Sequence, residues 1–276
     1  MPKISMDIDH IHFYVEDAKA WRDWFVAVFG FSAIASGSNA DTHSEVVSIG
    51  RICFVLSSAQ SDRSPVAHHL QNHPPGAVDI ALRVPQLEPI LSQAVAAGMP
   101  LLQPIQTRSP QRWAQVGGWE SLRHTLIEGS GLAATLAHLG AESAIEFTPV
   151  SIAPAPPFLS IDHVVLNVAE GDLARAVAWY EAGLGLRRQQ TFAIHTDRSA
   201  LYSQVLKHPQ GSMQMPINEP ASPRSQIQEF LDHNCGAGVQ HIAIETVDVV
   251  QSIATLRQRG LAFLPVPAAY YDELFQ

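Results

Sequence analysis

Cysteine is nearly absent from this 276-residue chain: Cys53 and Cys235 are the only two, and neither sits in a CxxC spacing. That excludes a disulfide framework and a cysteine-built zinc knuckle, and it suits a reducing compartment. Charge is thin as well, at 16% of residues, and it leans acidic, with a formal net charge of -9. There is no lysine or arginine run. The counterion release that dominates contact with nucleic acid therefore has no source, and nucleic acid is excluded as a partner. No stretch approaches the roughly 18 consecutive apolar residues of a membrane-spanning helix, and the opening MPKISMDIDH lacks the apolar core of a secretory leader. The expectation is a soluble, cytoplasmic protein with no membrane partner. What remains is an ordinary globular balance, 46% apolar, in a chain long enough for two domains with real cores.

The chain contains a repeat. IDHIHFYVEDAKAWRDWFVAVFGF, from Ile8, returns as IDHVVLNVAEGDLARAVAWYEAGLGL, from Ile161. Each predicts a strand of alternating apolar residues, an amphipathic helix and a glycine stop, at Gly30 and Gly185. A second pair follows the same logic: AVDIALRVPQLEPILSQAVAAGMPLLQP and GVQHIAIETVDVVQSIATLRQRGLAFLPVP, with Asp79 to Gly98 and His241 to Gly260 spanning equal intervals. Four modules in two halves result. Short strand-like runs follow the helices, EVVSIG and RICFVLSS after module one, LRHTLIE and LAATLAHL after module two. The halves meet at PVSIAPAPPF, where clustered prolines forbid a helix interior and disfavour a central strand. The expected domains are 1–148 and 159–276, with 149–158 as linker.

A βαβββ module exposes one face of a small sheet and cannot bury it alone, so modules must pack in pairs. The predicted fold class is α+β, two domains each of paired βαβββ modules forming half-open barrels, whose interiors are the natural ligand sites. Module four is expected to be incomplete. In the repeat register Gln276 falls opposite about Gln115, so the counterpart of LRHTLIEGSGLAATLAHL is missing, and unpaired sheet edge should invite another chain.

The stretch from Asn218 to Glu245 concentrates candidate chemistry: an amide-rich loop, a short helix bearing Gln226 and Gln228, a glycine turn at Gly236 and Gly238, and a strand carrying His241. Polar side chains aimed from a strand into a pocket are costly unless they bind something. His163, in IDHVVLNV, opens the first strand of module three as His241 opens that of module four. Pseudo-symmetry can bring the two together. Two histidines and a carboxylate on one octahedral face suit non-haem iron, because they leave three positions open for substrate and O2. The bland alternative is a pair of hydrogen-bonded core histidines. Val165 and Asn167 share the face of His163.

Paired modules with IDHVVLNV, then PINEP, SQIQEFL and GAGVQHIA, resemble the vicinal-oxygen-chelate superfamily and, within it, the 4-hydroxyphenylpyruvate dioxygenase family, especially its short cyanobacterial type. The similarity is specific from Ile161 to Arg259 and weaker over the first domain, where His10 and Asp79 stand at the positions of His163 and His241. The resemblance implies a structural first domain and Fe(II) in the second, held by His163 and His241. The family's third ligand, a glutamate on one of the last strands, has no counterpart here, and Glu273 in YYDELFQ falls in what is a connection in the family. The resemblance also carries over to Ser203, Asn218, Gln226 and Gln240 as a polar set that orients the substrate. Hydroxyl and amide groups can hydrogen-bond a phenol without adding a titrating charge. Other readings stay open: an Asx turn for Asn218, a solvated helix position for Gln226, and spacing alone for Ser203. Strand alternation points Gln240 away from His241 unless a bulge intervenes.

The implied reaction is conversion of 4-hydroxyphenylpyruvate and O2 to homogentisate and CO2, in tyrosine catabolism or supply of a quinone precursor. The partners are then a small aromatic 2-oxo acid and O2, and a homo-oligomer is the expected assembly. Rival readings are a hydroxymandelate synthase, an extradiol ring-cleaving dioxygenase, and a metal-free binding module or inactive remnant. Elsewhere, Trp21, Trp24, Phe25 and Val28 recur at helical spacing, as do Ala176, Trp179 and Tyr180, and both stripes read as core. His68, His69 and His73 read as a polar loop, and Arg187 and Arg188 as a solvated strand start.

Overall fold

The computed structural model describes residues 5–129, 144–146, 158–195 and 200–265. Module one runs β1 (Asp7–Tyr14), α1 (Ala18–Trp24), β2 (Ser32–Ser38), β3 (Thr42–Ile49) and β4 (Ile52–Ala59), followed by a short α2 (Pro65–Leu70). Module two runs β5 (Gly76–Val84), α3 (Leu87–Ala96), β6 (Leu101–Arg108), β7 (Gln111–Gly117) and β8 (Arg123–Glu128), and a short β9 (Ala144–Glu146) follows it. Module three runs β10 (Phe158–Asn167), α4 (Leu173–Leu184), β11 (Arg187–His195), β12 (Ala200–Lys207) and β13 (Gln214–Pro220). Then come α5 (Gln226–Asn234), β14 (Gly238–Thr246) and α6 (Val249–Gln258).

Local chemistry accounts for the punctuation. Asp17 caps α1 by accepting from the N–H groups of Lys19 and Ala20, and Ser225 caps α5 through Ile227 N–H. Gly30 and Gly185 stop their helices in the left-handed conformation, at φ 79° and 68°.

Nine strands of the first half form one sheet in the order β6-β7-β8-β5-β1-β4-β3-β2-β9, with the two modules joined where β1 and β5 pair antiparallel. The second sheet runs β11-β12-β13-β10-β14 and repeats the order β2-β3-β4-β1-β5 strand for strand. Where β5 has β8 beside it in parallel, β14 pairs only with β10 among the described residues.

One apolar core runs through both halves, from Ile11, Phe25, Leu56 and Leu82 to Val164, Val177, Tyr180 and Ile217. Tyr180, on α4, is fully buried, and burial raises its pKa. Its hydroxyl accepts from Trp119 N–H at 3.1 Å and lies 3.2 Å from His124 Nε2. The other nitrogen of His124 faces the Ile80 carbonyl at 3.0 Å. A carbonyl only accepts, so Nδ1 carries the proton and Nε2 takes the Tyr180 hydrogen. Burial lowers the His124 pKa, in keeping with a neutral ring. Every group in this chain across the interface is satisfied.

Three sequence expectations change. Trp24 is 42% exposed while Phe25 is buried, so Trp24 stands at the edge of the stripe, and beyond it a π-turn over Phe25–Phe29 ends the 3.6-residue spacing. His68 and His69 lie on α2, not in a loop: Ser64 caps it through Val66 N–H and Pro65 occupies its first turn. Module two draws its three later strands from 101–128, and LAATLAHL lies outside the described residues. So does all of the proline-rich segment except Phe158, which already opens β10.

Replacing Tyr180 by Phe leaves Trp119 N–H and His124 Nε2 without partners in a buried setting. The expected cost is about 1–3 kcal/mol, read as a lower urea midpoint at unchanged slope; a midpoint equal to wild type would contradict the bridging role.

Candidate active site

The second sheet turns one face to the shared core and the other away from it, where the helix α5 packs against Leu201. On β10, Val164 and Leu166 enter the core, so His163, Val165 and Asn167 occupy the opposite face, with Val165 and Asn167 buried there. On β13, Met215 and Ile217 go to the core and Asn218 to the other side; on β12, Leu206 goes inward and Ser203 and Leu201 face Asn218 and the helix α5. Cross-strand register then sets Ser203, Asn218 and Asn167 in one row. Asn218 Nδ2 donates to Asn167 Oδ1 at 3.2 Å. The Nδ2 of Asn167 is buried and finds no acceptor among the described residues. Phe192, opposite Ser203 on β11, extends the row with an exposed ring.

The two histidines are brought together by two bulges. Between Ile161 and His163 on β10, Asp162 is an extra residue; between Val239 and His241 on β14, Gln240 is. A bulge re-aims a side chain that strict alternation would send to the far face. Asp162 Oδ2 lies 2.6 Å from His163 Nδ1, and Gln240 Oε1 contacts His241 Nδ1. Both oxygens accept, so both Nδ1 atoms donate, which in a neutral ring puts the lone pair on Nε2. The ring centroids are 5.6 Å apart at 72°. Burial, and then the neighbouring His163, lowers the pKa of His241 and favours the neutral ring that a metal needs.

Two adjacent imidazoles, each with its Nδ1 held by an oxygen acceptor, fit a metal-ligand pair. Among the described residues no group of three histidine, cysteine or acidic side chains is placed to hold an ion. The third donor is therefore not assigned, and Glu273 lies outside the described residues. Gln240 stands beside His241, not in the Ser203–Asn218–Asn167 row. Gln226 is exposed on the first turn of α5, and Gln228 donates to Asp232 at 2.8 Å on the solvent side.

The first half keeps the geometry without the pair. Asp9 is a bulge residue whose Oδ1 lies 2.9 Å from His10 Nδ1. Asp79, at the position of His241, accepts from Thr125 N–H at 2.9 Å, the Thr125 hydroxyl at 2.5 Å and Gln115 Nε2 at 3.0 Å. Burial pushes the Asp79 pKa up, but Arg123, Thr125, His10 and His124 hold it below the usual carboxylate range.

Sequence reasoning passed over two things. The Asp162 contact had a signal, since the IDH triplet recurs in both modules. The other left none: a cavity of about 340 Å³ between the halves is lined by Gln240, His241 and Phe230 and by Trp21, His69 and His73 of the first half.

Residues 7–114 and 162–273 each match the glyoxalase/bleomycin resistance protein/dioxygenase superfamily. The chain is 35% identical to a 4-hydroxyphenylpyruvate dioxygenase of Caenorhabditis briggsae, over 97% of this chain and 72% of that protein. It is 29% identical to an uncharacterized protein of Synechocystis sp., over 97% and 75%. Among solved structures, a mutant of 4-hydroxymandelate synthase from Streptomyces coelicolor superposes with a TM-score of 0.88 at 28% identity, covering 98% of this chain and 79% of that one.

Asp162→Ala should lower the affinity for a divalent ion about 10–100-fold with the melting temperature unchanged; a Co(II) titration matching wild type would remove its orienting role. His69 supplies a pH dependence. Burial first, then His73 and Arg123, depress its pKa from 6.5 to about 4. The unfolded chain takes up that proton below about pH 6.5 while the folded chain refuses it until about pH 4, so stability must fall as pH drops through that window. His69→Gln should flatten the slope of stability against pH there.

Proposed function

The chain belongs to the 4-hydroxyphenylpyruvate dioxygenase family of the glyoxalase/bleomycin resistance protein/dioxygenase superfamily, and we propose that it converts 4-hydroxyphenylpyruvate and O2 to homogentisate and CO2. It is an enzyme of the non-haem iron dioxygenase type. The observation that carries the reading is the pair His163 and His241, side by side with both Nδ1 atoms held from bulges.

Fe(II), when bound, supplies open coordination positions for a 2-oxo acid and O2 and the electrons that start the reaction. The chain's own residues place and shield. His163 and His241 would hold the ion through Nε2, and Asp162 and Gln240 fix their tautomers and ring planes. Ser203 and Asn218 offer a hydroxyl and an amide to the phenol, and Asn167 fixes Asn218 by accepting from its Nδ2. Gln226, at the exposed start of α5, stands at the rim. Val165, buried beside His163 and His241, supplies apolar surface next to the metal-holding pair. Overall, loss of the substrate carboxyl as CO2 supplies two electrons; one oxygen atom completes the new carboxylate, the other enters the ring, and the side chain moves to the neighbouring carbon.

Benzylic hydroxylation to 4-hydroxymandelate is the second reading, favoured by the likeness to a 4-hydroxymandelate synthase. It uses the same substrate and differs only in where the ring sits relative to the oxidant. The amide row, which fixes the phenol end, is the feature on which that choice turns. A homo-oligomer in the cytoplasm completes the proposal. No helix among the described residues is long and apolar enough to cross a membrane.

Oxygen uptake by the full chain with Fe(II) and 4-hydroxyphenylpyruvate tests the reading, with the product identified by chromatography. Uptake should require His163 and His241, each Ala variant falling to background, and homogentisate should be the product; hydroxymandelate would select the second reading. Asn218→Ala should consume O2 with less product per O2 and lose about 10–100-fold in kcat/KM.

A further inference from the structure

Resting on the reading of His241 as a metal ligand, we infer that Glu120 and His73 are positioning residues through which the first half of the chain sets the register of the metal-bearing strand β14. The turn between α5 and β14 decides where β14 begins. Its own contacts are local: Asn234 Nδ2 donates to the carbonyls of Gly236 and Ala237, both at 3.1 Å, and Cys235 and Gly236 adopt positive φ, at 58° and 135°. At Gly238 a Cβ would lie 2.5 Å from Asn234 Nδ2 and would displace the amide that holds the turn.

Two further holds come from the other half. Ala237 N–H donates to Glu120 Oε2 at 3.0 Å, and His73 Nδ1–H donates to the Asn234 carbonyl at 2.7 Å. Gly236 makes room for the carboxylate, because a Cβ on it would stand 3.2 Å from Glu120 Oε2. Glu120 sits at φ 50° in the turn between β7 and β8, a left-handed conformation that glycine takes freely and an L side chain resists. A side chain held there against its preference is the kind of local strain that marks a positional role. Both holders are themselves anchored: the Glu120 turn through Trp119 N–H on the Tyr180 hydroxyl, and His73 by stacking on His69 at 4.7 Å.

From this turn the strand counts forward: Gly238 opposite Asn167, Val239 opposite Leu166, the extra Gln240, then His241 opposite Val165. An extra residue persists only if both sides of it are pinned. A slip of one position would carry His241 to the other face and part Gln240 from its Nδ1. The hold at the start of β14 is therefore shared by its pairing with β10, the turn itself and the two first-half residues that grip that turn.

The test uses the full chain with Glu120→Gly, Glu120→Gln and His73→Phe. Glu120→Gly removes the carboxylate and also relieves the positive φ, so its melting temperature should equal or exceed that of wild type. Hydrogen exchange at amides 236–241 of the metal-free protein should nevertheless quicken about tenfold, and Co(II) affinity, followed by visible absorption, should fall about tenfold. Glu120→Gln keeps an acceptor oxygen and should stay within about twofold of wild type in both readouts. His73→Phe keeps the ring stack, loses the donor and should move both readouts in the direction of Glu120→Gly. Wild-type exchange in Glu120→Gly overturns the proposal, as does quickened exchange with unchanged Co(II) affinity. Equal Co(II) binding by wild type and His241→Ala would instead sink the metal reading itself, and the exchange measurement would still decide the clamp.

Discussion

The structure of the site depends on one backbone device: an extra residue in a strand, placed immediately before a histidine, so that its side-chain oxygen meets that histidine's Nδ1. Asp162 does this for His163 and Gln240 for His241. Each bulge disrupts a stretch of the ladder between β10 and β14. In return, both imidazoles are fixed in one tautomer and one plane without any contribution from a metal. Regular pairing would have set Asp162 and His163, or Gln240 and His241, on opposite faces of the sheet.

The same device is present in the first half, where Asp9 and Val78 are the extra residues. There the outcome is structural. Val78 packs with Tyr14 and Val66, Asp79 satisfies Thr125 and Gln115, and Asp9 is held by Arg83 and faces His10. The difference between the halves thus lies in side chains laid on a shared backbone. The halves are not independent bodies either. They share one apolar core, a hydrogen-bonded chain from Trp119 through Tyr180 and His124 to Ile80, and the turn before β14.

The repeat, the module order and the two histidines were legible because each is written in local periodicity: alternation for the strands, 3.6-residue spacing for the helices, and equal intervals between corresponding positions. Gln240 marks the limit of that method. Alternation alone turned it from His241, and only the pairing with β10 shows the extra residue that brings it back. The π-turn over Phe25–Phe29 marks another, since it shifts the stripe beyond it by an amount no spacing pattern announces. Glu120 and His73 were invisible for a third reason: their partners, Ala237 and Asn234, are distant in sequence, and nothing in the residue types says that two modules will meet at that turn.

The bulges at Asp9 and Val78 have a consequence for how such a protein can change over generations. Inserting an extra residue into a strand re-registers everything beyond it, whereas exchanging one side chain for another on an existing bulge is a single substitution. The first half therefore carries the bulged backbone of the site without its histidine pair. The backbone change is already in place there, so new side-chain chemistry can be laid on β1 and β5 by point substitution alone.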